Sequence, residues 1–335
     1  MTWDVKVAGG DIIFPCAPDE TILDAAERAG FSIPYSCRKG VCAACEGGLS
    51  AGSVEVRGHG PAFAPADGVR LCQARPRSHV EIVPTRITAS GPPRRRVLEA
   101  RVFAVSRPSP DVTVLNLRYP NGVRVKFRPG QHLKVLLQDG DSRNYSMANP
   151  SHRNDGAELH IRHLAGGRFS DALAPALEKG EVLRVDTPYG ERHLDECSDR
   201  PVILAVTGTG FAPAKAIIED QLAKGSTRPI HLYWGGRTAG DLYMRDRAAS
   251  WAVRAPWLSF TPVLSRPEQD WRGRIGWVQH AVLEDQPQLA GFEVYACGNP
   301  AMTQGASRAF IAAGLDPIDF HCDAFVASAD PVPTP

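Results

Sequence analysis

Hydrophobic and polar positions divide the chain into regions of different period. Residues 3–8 and 11–14 alternate on either side of Gly9-Gly10, which predicts two short strands in a hairpin. A helix is predicted from Thr21, with Asp24 as its capping partner; Ile22, Ala25, Ala26 and Ala29 fall on the inner face and Gly30 ends it. A cysteine-bearing loop and short strands follow, ending near Val83. Strands, one helix and a long loop within residues 1–88 predict a compact α+β module. Periodicity is lost over 89–97, which reads as a linker. Its run Arg94-Arg95-Arg96 is expected to be a solvated face, with an acidic partner as the alternative.

From 98 to 198 short apolar runs recur at 98–106, 112–118, 132–137, 143–147, 158–164 and 182–186, broken by Pro and Gly. One helical stretch, Phe169 to Leu177, interrupts them. This pattern predicts a six-stranded antiparallel β-barrel. From 199 to 328 the character changes. A continuous apolar strand, Val202 to Val206, meets a glycine turn and a helix from Pro213 to Ala223. Strands follow at Ile230–Trp234, Leu258–Val263 and Glu293–Cys297. Strands alternating with helices predict an α/β doubly wound parallel sheet. Residues 329–335 are expected to be a disordered tail.

Length and composition fit this reading. The 335 residues suit two or three domains, and 43% hydrophobic with 22% charged residues supplies each with a core. A net charge of +1 argues against nucleic acid as the partner. The start, Met1 to Lys6, lacks the basic-then-apolar pattern of a signal peptide, and no run approaches the ~18 apolar residues of a membrane span. The expected setting is cytoplasmic, with no membrane partner.

Eight cysteines would be unusual as structural disulfides in the reducing cytosol, and four crowd into residues 37–72, which favours metal ligation. Cys37-x4-Cys42-x2-Cys45, with Cys72 further on, has the ligand spacing of a plant-type [2Fe-2S] cluster. Three thiolates from one loop converge only if the loop wraps the cluster, and the fourth closes the cage. Gly40 helps the turn, while small Ala43 and Ala44 let backbone N–H groups approach the sulfurs. A structural zinc site, in a non-enzymatic binding protein, is the alternative; it would use two Cys-x2-4-Cys knuckles, and one is present. Cys16, Cys197 and Cys322 are expected to be buried small hydrophobes.

The segment Tyr35 to Cys45 resembles the cluster loop of plant-type (β-grasp) ferredoxins fused to a ferredoxin-NADP reductase module, although that family usually carries glycine and often threonine where Ala43 and Ala44 stand. Arg143-Asn144-Tyr145-Ser146 resembles the family's Arg-x-Tyr-Ser flavin motif. The resemblance implies that this motif holds the isoalloxazine ring and flavin phosphate, with Tyr145 against the ring and Ser146 near N5. It further implies that Leu159-His160-Ile161-Arg162-His163 and Gly166-Gly167-Arg168-Phe169-Ser170 hold the pyrophosphate. A Gly-Gly turn entering a helix suits an anion, and Arg143 and Arg162 can add charge-assisted hydrogen bonds.

Thr207-Gly208-Thr209-Gly210-Phe211-Ala212-Pro213 resembles the nicotinamide pyrophosphate loop. Cys297-Gly298-Asn299-Pro300-Ala301-Met302 is similar to the family's Cys-Gly-x-Pro segment, which implies Cys297 beside the nicotinamide C4; a merely buried cysteine is the alternative. Phe325, in Asp323-Ala324-Phe325, is expected to cover the flavin ring and yield to nicotinamide, or else to be plain core. Ser265-Arg266 stands where NADP-specific members carry a Ser-Arg pair, with Arg274 and Trp277 near a basic and an aromatic position. Use of both nucleotides is expected, NADH slightly ahead on family habit.

The resemblance spans nearly the whole chain. It is near the reductase components of ring-hydroxylating dioxygenases such as terephthalate and naphthalene dioxygenase. It is equally near CDP-6-deoxy-glucoseen reductase, in segments such as Tyr233-Trp234-Gly235-Gly236-Arg237. It implies an NAD(P)H-dependent oxidoreductase passing electrons from nicotinamide through FAD and a [2Fe-2S] cluster to a terminal oxygenase. The alternative acceptor is a deoxysugar dehydratase. Arg38-Lys39, bordering the cluster loop, is the expected docking contact for the electron partner, the oxygenase in the leading reading.

Overall fold

A computed structural model describes residues 2–35, 37–41, 43–89, 91, 95–190 and 192–326. The chain divides into two compact units, Met1–Arg94 and Arg95–Pro335.

In the first unit the Gly9-Gly10 turn joins strands Trp3–Val7 and Ile13–Cys16 in an antiparallel pair, Trp3 opposite Cys16. Trp3–Val7 also pairs in parallel with Val80–Pro84, at the centre of a five-stranded sheet that adds Glu46–Ala51 and Ala66–Arg70. The helix Ile22–Arg28 is capped by Thr21, whose hydroxyl oxygen accepts the Asp24 N–H. It buries Ile22, Leu23, Ala25 and Ala26; Ala29, expected inside, is exposed because the helix has already ended there. One helix over a mixed sheet is the expected β-grasp arrangement. Thr88–Ala89 pairs with Phe31–Ser32, and the next strand begins at Arg96, so ordered backbone enters both ends of the expected linker. Ser90, Pro92, Pro93 and Arg94 of that linker, and the expected tail 329–335, lie outside the described residues.

The second unit has two parts with separate cores. Six antiparallel strands, Arg96–Ser109, Val112–Arg118, His132–Leu136, Ser142–Ser146, Gly156–Arg162 and Val182–Tyr189, form one sheet. Its two ends meet through a Met147–Leu159 bridge and the Ala148 N–H to Glu158 carbonyl bond of 2.8 Å, closing the barrel around Leu115, Leu133, Val135, Leu159 and Ile161. The expected helix Phe169–Leu177 is instead a wide π-type turn over Arg168–Leu173 followed by a tight turn, Ala174–Ala176. Pro175 stops a regular helix there, since it has no N–H to give.

The other part is a six-stranded parallel sheet in the order Arg274–Ile275, Leu258–Leu264, Ile230–Gly236, Val202–Thr207, Glu293–Gly298, Phe320–Ala324. Apolar side chains pack on both faces, as an all-parallel sheet requires. The chain runs outward one way from Val202–Thr207 and then returns to its other side, so the order reverses at that strand's C-terminal end. Crevices at such reversals receive ligands. The helix after this strand begins at Phe211, two residues before the expected Pro213, which sits harmlessly in the first turn. Among the described residues no helix is long and apolar enough to cross a membrane.

Candidate functional site

Cys37, Cys45 and Cys72 are buried around one loop; Cys42 lies outside the described residues. The Lys39 N–H reaches Cys37 Sγ at 3.3 Å. Hydrogen bonding with Cys45, aided by the Gly40 backbone and opposed by burial, holds the Cys72 thiol below its ordinary range. Gln73 Nε2 ties the loop down by donating to the carbonyls of Arg38 (2.7 Å) and Cys72 (2.9 Å). Among the described residues, Arg38 (φ 52°) and Ala43 (φ 62°) are the non-glycine positions in left-handed backbone, and both lie in this loop. Soft thiolates gathered with backbone N–H groups are a donor set that fits an iron–sulfur cluster. The expectation for Arg38 as a docking contact fails. Its guanidinium turns inward, pairing with Asp24 and with Glu27 (2.5 Å) and lying 4.1 Å over the Tyr35 ring. Cys16 and Cys322 are buried as expected, but Cys197 is exposed.

On the barrel, Arg143, Tyr145 and Ser146 share the strand Ser142–Ser146. Tyr145 leans on Phe169 with ring centroids 5.6 Å apart. Ser146 Oγ donates to Asp323 Oδ2 at 3.3 Å, joining the barrel to the last strand of the parallel sheet. Arg143 pairs with Asp141 at 2.5 Å. A Cβ at Gly167 would sit 2.3 Å from Ser170 Oγ and 2.8 Å from the Leu164 carbonyl, so the Gly166–Ser170 turn demands glycine. The strand Gly156–Arg162 alternates differently from the flavin expectation. Ile161 points into the barrel core, leaving only its main chain outside. His160 is fully buried, and burial holds it below its ordinary value, hence neutral. Its Nε2–H donates to Glu158 (2.9 Å) and Tyr243 O–H donates to Nδ1 (2.7 Å). Arg162 pairs at 2.5 Å with both Asp111 and Asp241.

The turn Thr207-Gly208-Thr209-Gly210 occupies the reversal crevice. Gly208 takes φ 55°, and its carbonyl accepts the buried Trp234 Nε1–H at 3.1 Å. A Cβ at Gly210 would meet the Cys297 carbonyl at 2.2 Å; one at Gly298 (φ 153°) would meet Thr207 Oγ1 at 2.1 Å. The turn and the Cys297-Gly298 strand end are thus in backbone contact, a cradle that any side chain would fill. Burial, then Asp323, pushes the Cys297 thiol well above its ordinary range. Pro300 and Met302 open the helix Pro300–Ala312, capped by Asn299 accepting the Met302 N–H at 2.9 Å. Phe325 N–H donates to the Gly298 carbonyl at 2.7 Å, placing Phe325 beside this strand end. Further along, the Ser265 N–H meets the Gly236 carbonyl (3.0 Å) and the Arg266 N–H the Arg237 carbonyl (2.8 Å), gathering Arg237, Ser265 and Arg266. Arg274 is drawn off by Glu284 and Asp285, and Trp277 is exposed. The positioning roles of Asp241 and Trp234 escaped sequence reasoning. Their partners lie 79 and 26 residues away and leave no local signal.

Residues 5–77 match the 2Fe-2S iron-sulfur cluster binding domain, 99–193 the oxidoreductase FAD-binding domain and 204–308 the oxidoreductase NAD-binding domain. The chain is 36% identical to terephthalate 1,2-dioxygenase, reductase component 1, of Comamonas sp, covering 98% of each. It is 33% identical to the CDP-6-deoxy-L-threo-D-glycero-4-hexulose-3-dehydrase reductase of Yersinia pseudotuberculosis, covering 98% of this chain and all of that one. Among solved structures it is similar to the Amycolatopsis cytochrome P450 reductase GcoB, with 31% identity, a TM-score of 0.77, and 98% and 100% of the two chains covered. The chain belongs to the iron–sulfur flavoprotein reductases, NAD(P)H-dependent oxidoreductases that join a [2Fe-2S], an FAD-binding and an NAD-binding domain in one polypeptide.

Proposed function

We propose that this reductase delivers its electrons to the terminal oxygenase of an aromatic ring-hydroxylating dioxygenase, with a terephthalate-like substrate as the first candidate. The observation that carries this is the 36% identity to the terephthalate dioxygenase reductase over 98% of both chains. Cys37, Cys42, Cys45 and Cys72 would hold the cluster. Arg143, Tyr145, Ser146, Gly166, Gly167, Phe169 and Ser170 would hold FAD, with main-chain groups of His160 and Ile161 contributing. Arg162 would serve the same site from its pairing with Asp111 and Asp241. Thr207 to Gly210, Pro213, Cys297, Gly298, Pro300 and Met302 would hold the nicotinamide half of the nucleotide, and Arg237, Ser265 and Arg266 its adenosine half.

When bound, FAD would supply the conversion between hydride and single-electron chemistry, and the cluster a one-electron carrier. The chain's own groups position and shield this chemistry. The Thr207–Gly210 turn offers N–H groups to a pyrophosphate. Cys297, neutral and buried, presents a small uncharged wall. The Ser146–Asp323 hydrogen bond keeps a hydroxyl proton oriented at the barrel strand's end, and Phe325 shields the site.

The test is reconstitution: NAD(P)H oxidation with this protein and the terephthalate oxygenase component should form dihydroxylated product. Turnover of ferricyanide with no product from that oxygenase would defeat the acceptor assignment. The second acceptor, a deoxysugar dehydrase, is favoured by the 33% full-length identity to its reductases, and the same assay with that dehydrase separates the two.

A further inference from the structure

The outer face of a three-stranded sheet in the first unit carries a charge pattern that nothing above uses. Ser53–Val56 runs between Gly60–Phe63 and Ala74–Pro76, antiparallel to both. Alternation sends Val54, Val56, Ala74 and Pro76 into the core. The complementary positions face outward in rows. Glu55 stands opposite Pro61 on one side and Arg75 on the other. Ser53 stands opposite Phe63, and its carbonyl accepts the Arg77 N–H at 2.9 Å. Arg57, next along the middle strand, donates its N–H to the Gln73 carbonyl at 3.1 Å.

Arg57, Arg75 and Arg77 are exposed, and among the described residues none of them makes an ion pair. Elsewhere in the unit Arg28, Arg38 and Arg70 are each paired with carboxylates. Phe63, 68% exposed, borders the same face. Unpaired arginines beside an exposed aromatic are the composition of a protein contact rather than of a plain solvated surface. The face also abuts the cysteine loop: Gln73, in its last row, bonds the carbonyls of Arg38 and Cys72.

We propose that this face docks an electron-acceptor protein whose surface over its own redox centre is acidic; this rests on the reading that electrons leave the chain for another protein. A second copy of this chain fits poorly, because a two-fold contact would set arginine against arginine. Nucleic acid fits poorly as well, with Glu55 in the middle of only three positive charges.

The test uses the holoprotein reducing cytochrome b5, an acidic acceptor, and cytochrome c, a basic one, across a range of ionic strength. For the parent, the rate constant with cytochrome b5 should fall as salt rises. R57E/R75E/R77E should lower it at least about tenfold at low salt and flatten or invert the slope, the behaviour of steering charges. Cytochrome c should respond in the opposite sense. Reduction of the cluster by NAD(P)H without acceptor, followed by stopped flow, should be unchanged. Arg75→Gln with Arg77→Gln, a gentler change, should give an intermediate slope, and Phe63→Ser should raise the KM for cytochrome b5 without altering the slope. Unchanged salt dependence in both arginine variants would overturn the face alone, as would slower internal reduction of the cluster. A parent that reduces neither cytochrome while reducing ferricyanide would overturn outward delivery and this face together.

Discussion

Ala43 and Arg266 are single residues whose surroundings give opposite kinds of prediction. Ala43 sits at φ 62°, where a Cβ costs roughly 1–2 kcal/mol, and glycine does not carry that cost. Glycine loses more freedom on folding, which takes back about 0.4–1 kcal/mol. Ala43→Gly should therefore stabilise the first unit slightly, raising the urea midpoint for loss of the cluster's visible absorbance; a lower midpoint would show that the Ala43 methyl group supports the cage. Arg266 differs because its value depends on a ligand. With Arg274 engaged by Glu284 and Asp285, Arg266 and Arg237 are the guanidinium groups gathered at these strand ends. A charged hydrogen bond to a 2′-phosphate is worth about 1.5–3 kcal/mol. Arg266→Ala should raise the KM for NADPH tenfold or more and leave that for NADH nearly unchanged, whereas Arg274→Ala should change the two alike. Steady-state kinetics with both nucleotides checks this, and parallel shifts in the Arg266 variant would reject the assignment. The Ser265-Arg266 pair was readable as a motif, but the capture of Arg274 was not, because its partners are set by a neighbouring helix.

One strand of the barrel, Gly156–Arg162, shows what an element does that its residues do not announce. Every second side chain bonds the parallel-sheet part: Glu158 to Lys215 (3.0 Å), His160 to Tyr243 and Arg162 to Asp241. The intervening Ala157, Leu159 and Ile161 fill the barrel. Period-two alternation thus gives this strand one face for each part. Burial raises the Glu158 carboxyl, but His160 and Lys215 outweigh it and bring the value down to about 2, against an ordinary 4.5. A carboxylate depressed on folding contributes stability above its unfolded value and loses it as pH falls toward the folded one. The two values differ by about 2.5 units, so on the order of 3 kcal/mol should disappear between about pH 4.5 and pH 2. Neutral His160 adds a loss in the same direction, beginning nearer its own ordinary value as pH falls. Glu158→Gln should be less stable at neutral pH and show a shallower acid limb in urea titrations; an unaltered acid limb would mean that other carboxylates dominate. The sequence showed an apolar run here at 158–164, two residues off the strand observed, and the family resemblance implied cofactor roles for His160 and Ile161. Alternation fixes which residues share a face but is silent about what covers it.

At the scale of the molecule, each unit has its own buried core, the first around Val5, Phe14, Ile22, Leu49 and Ile82 and the second around barrel and parallel sheet. Separate cores let one unit be damaged without unfolding the other. Cys72→Ser should disturb the cluster while FAD content and NAD(P)H-to-ferricyanide turnover persist. Cytochrome c reduction should fall sharply, since it draws on a one-electron outlet. Iron, flavin and both activities measured on one preparation decide the matter, and equal loss of the two activities would show that the cluster unit is not separable.

Local chemistry is what the sequence by itself determined. The cysteine spacing 37-42-45-72, the glycines of the 207–210 turn, the six barrel runs and the apolar parallel strands are all signals carried within a few residues of one another. These were enough to specify the three module folds and the cluster, while FAD and the nicotinamide nucleotide followed from the resemblance of segments such as 143–146 and 207–213 to a known reductase family. Tertiary structure alone decided which groups meet. It turned Arg38 inward to Glu27, brought Ser146 to Asp323 across 177 residues, and set Trp234 beneath Gly208. It also turned Arg57, Arg75 and Arg77 out onto one face. Each of those pairings depends on how twisted strands and packed helices close on one another, and free energy of that kind is spread over a core rather than written in any short segment.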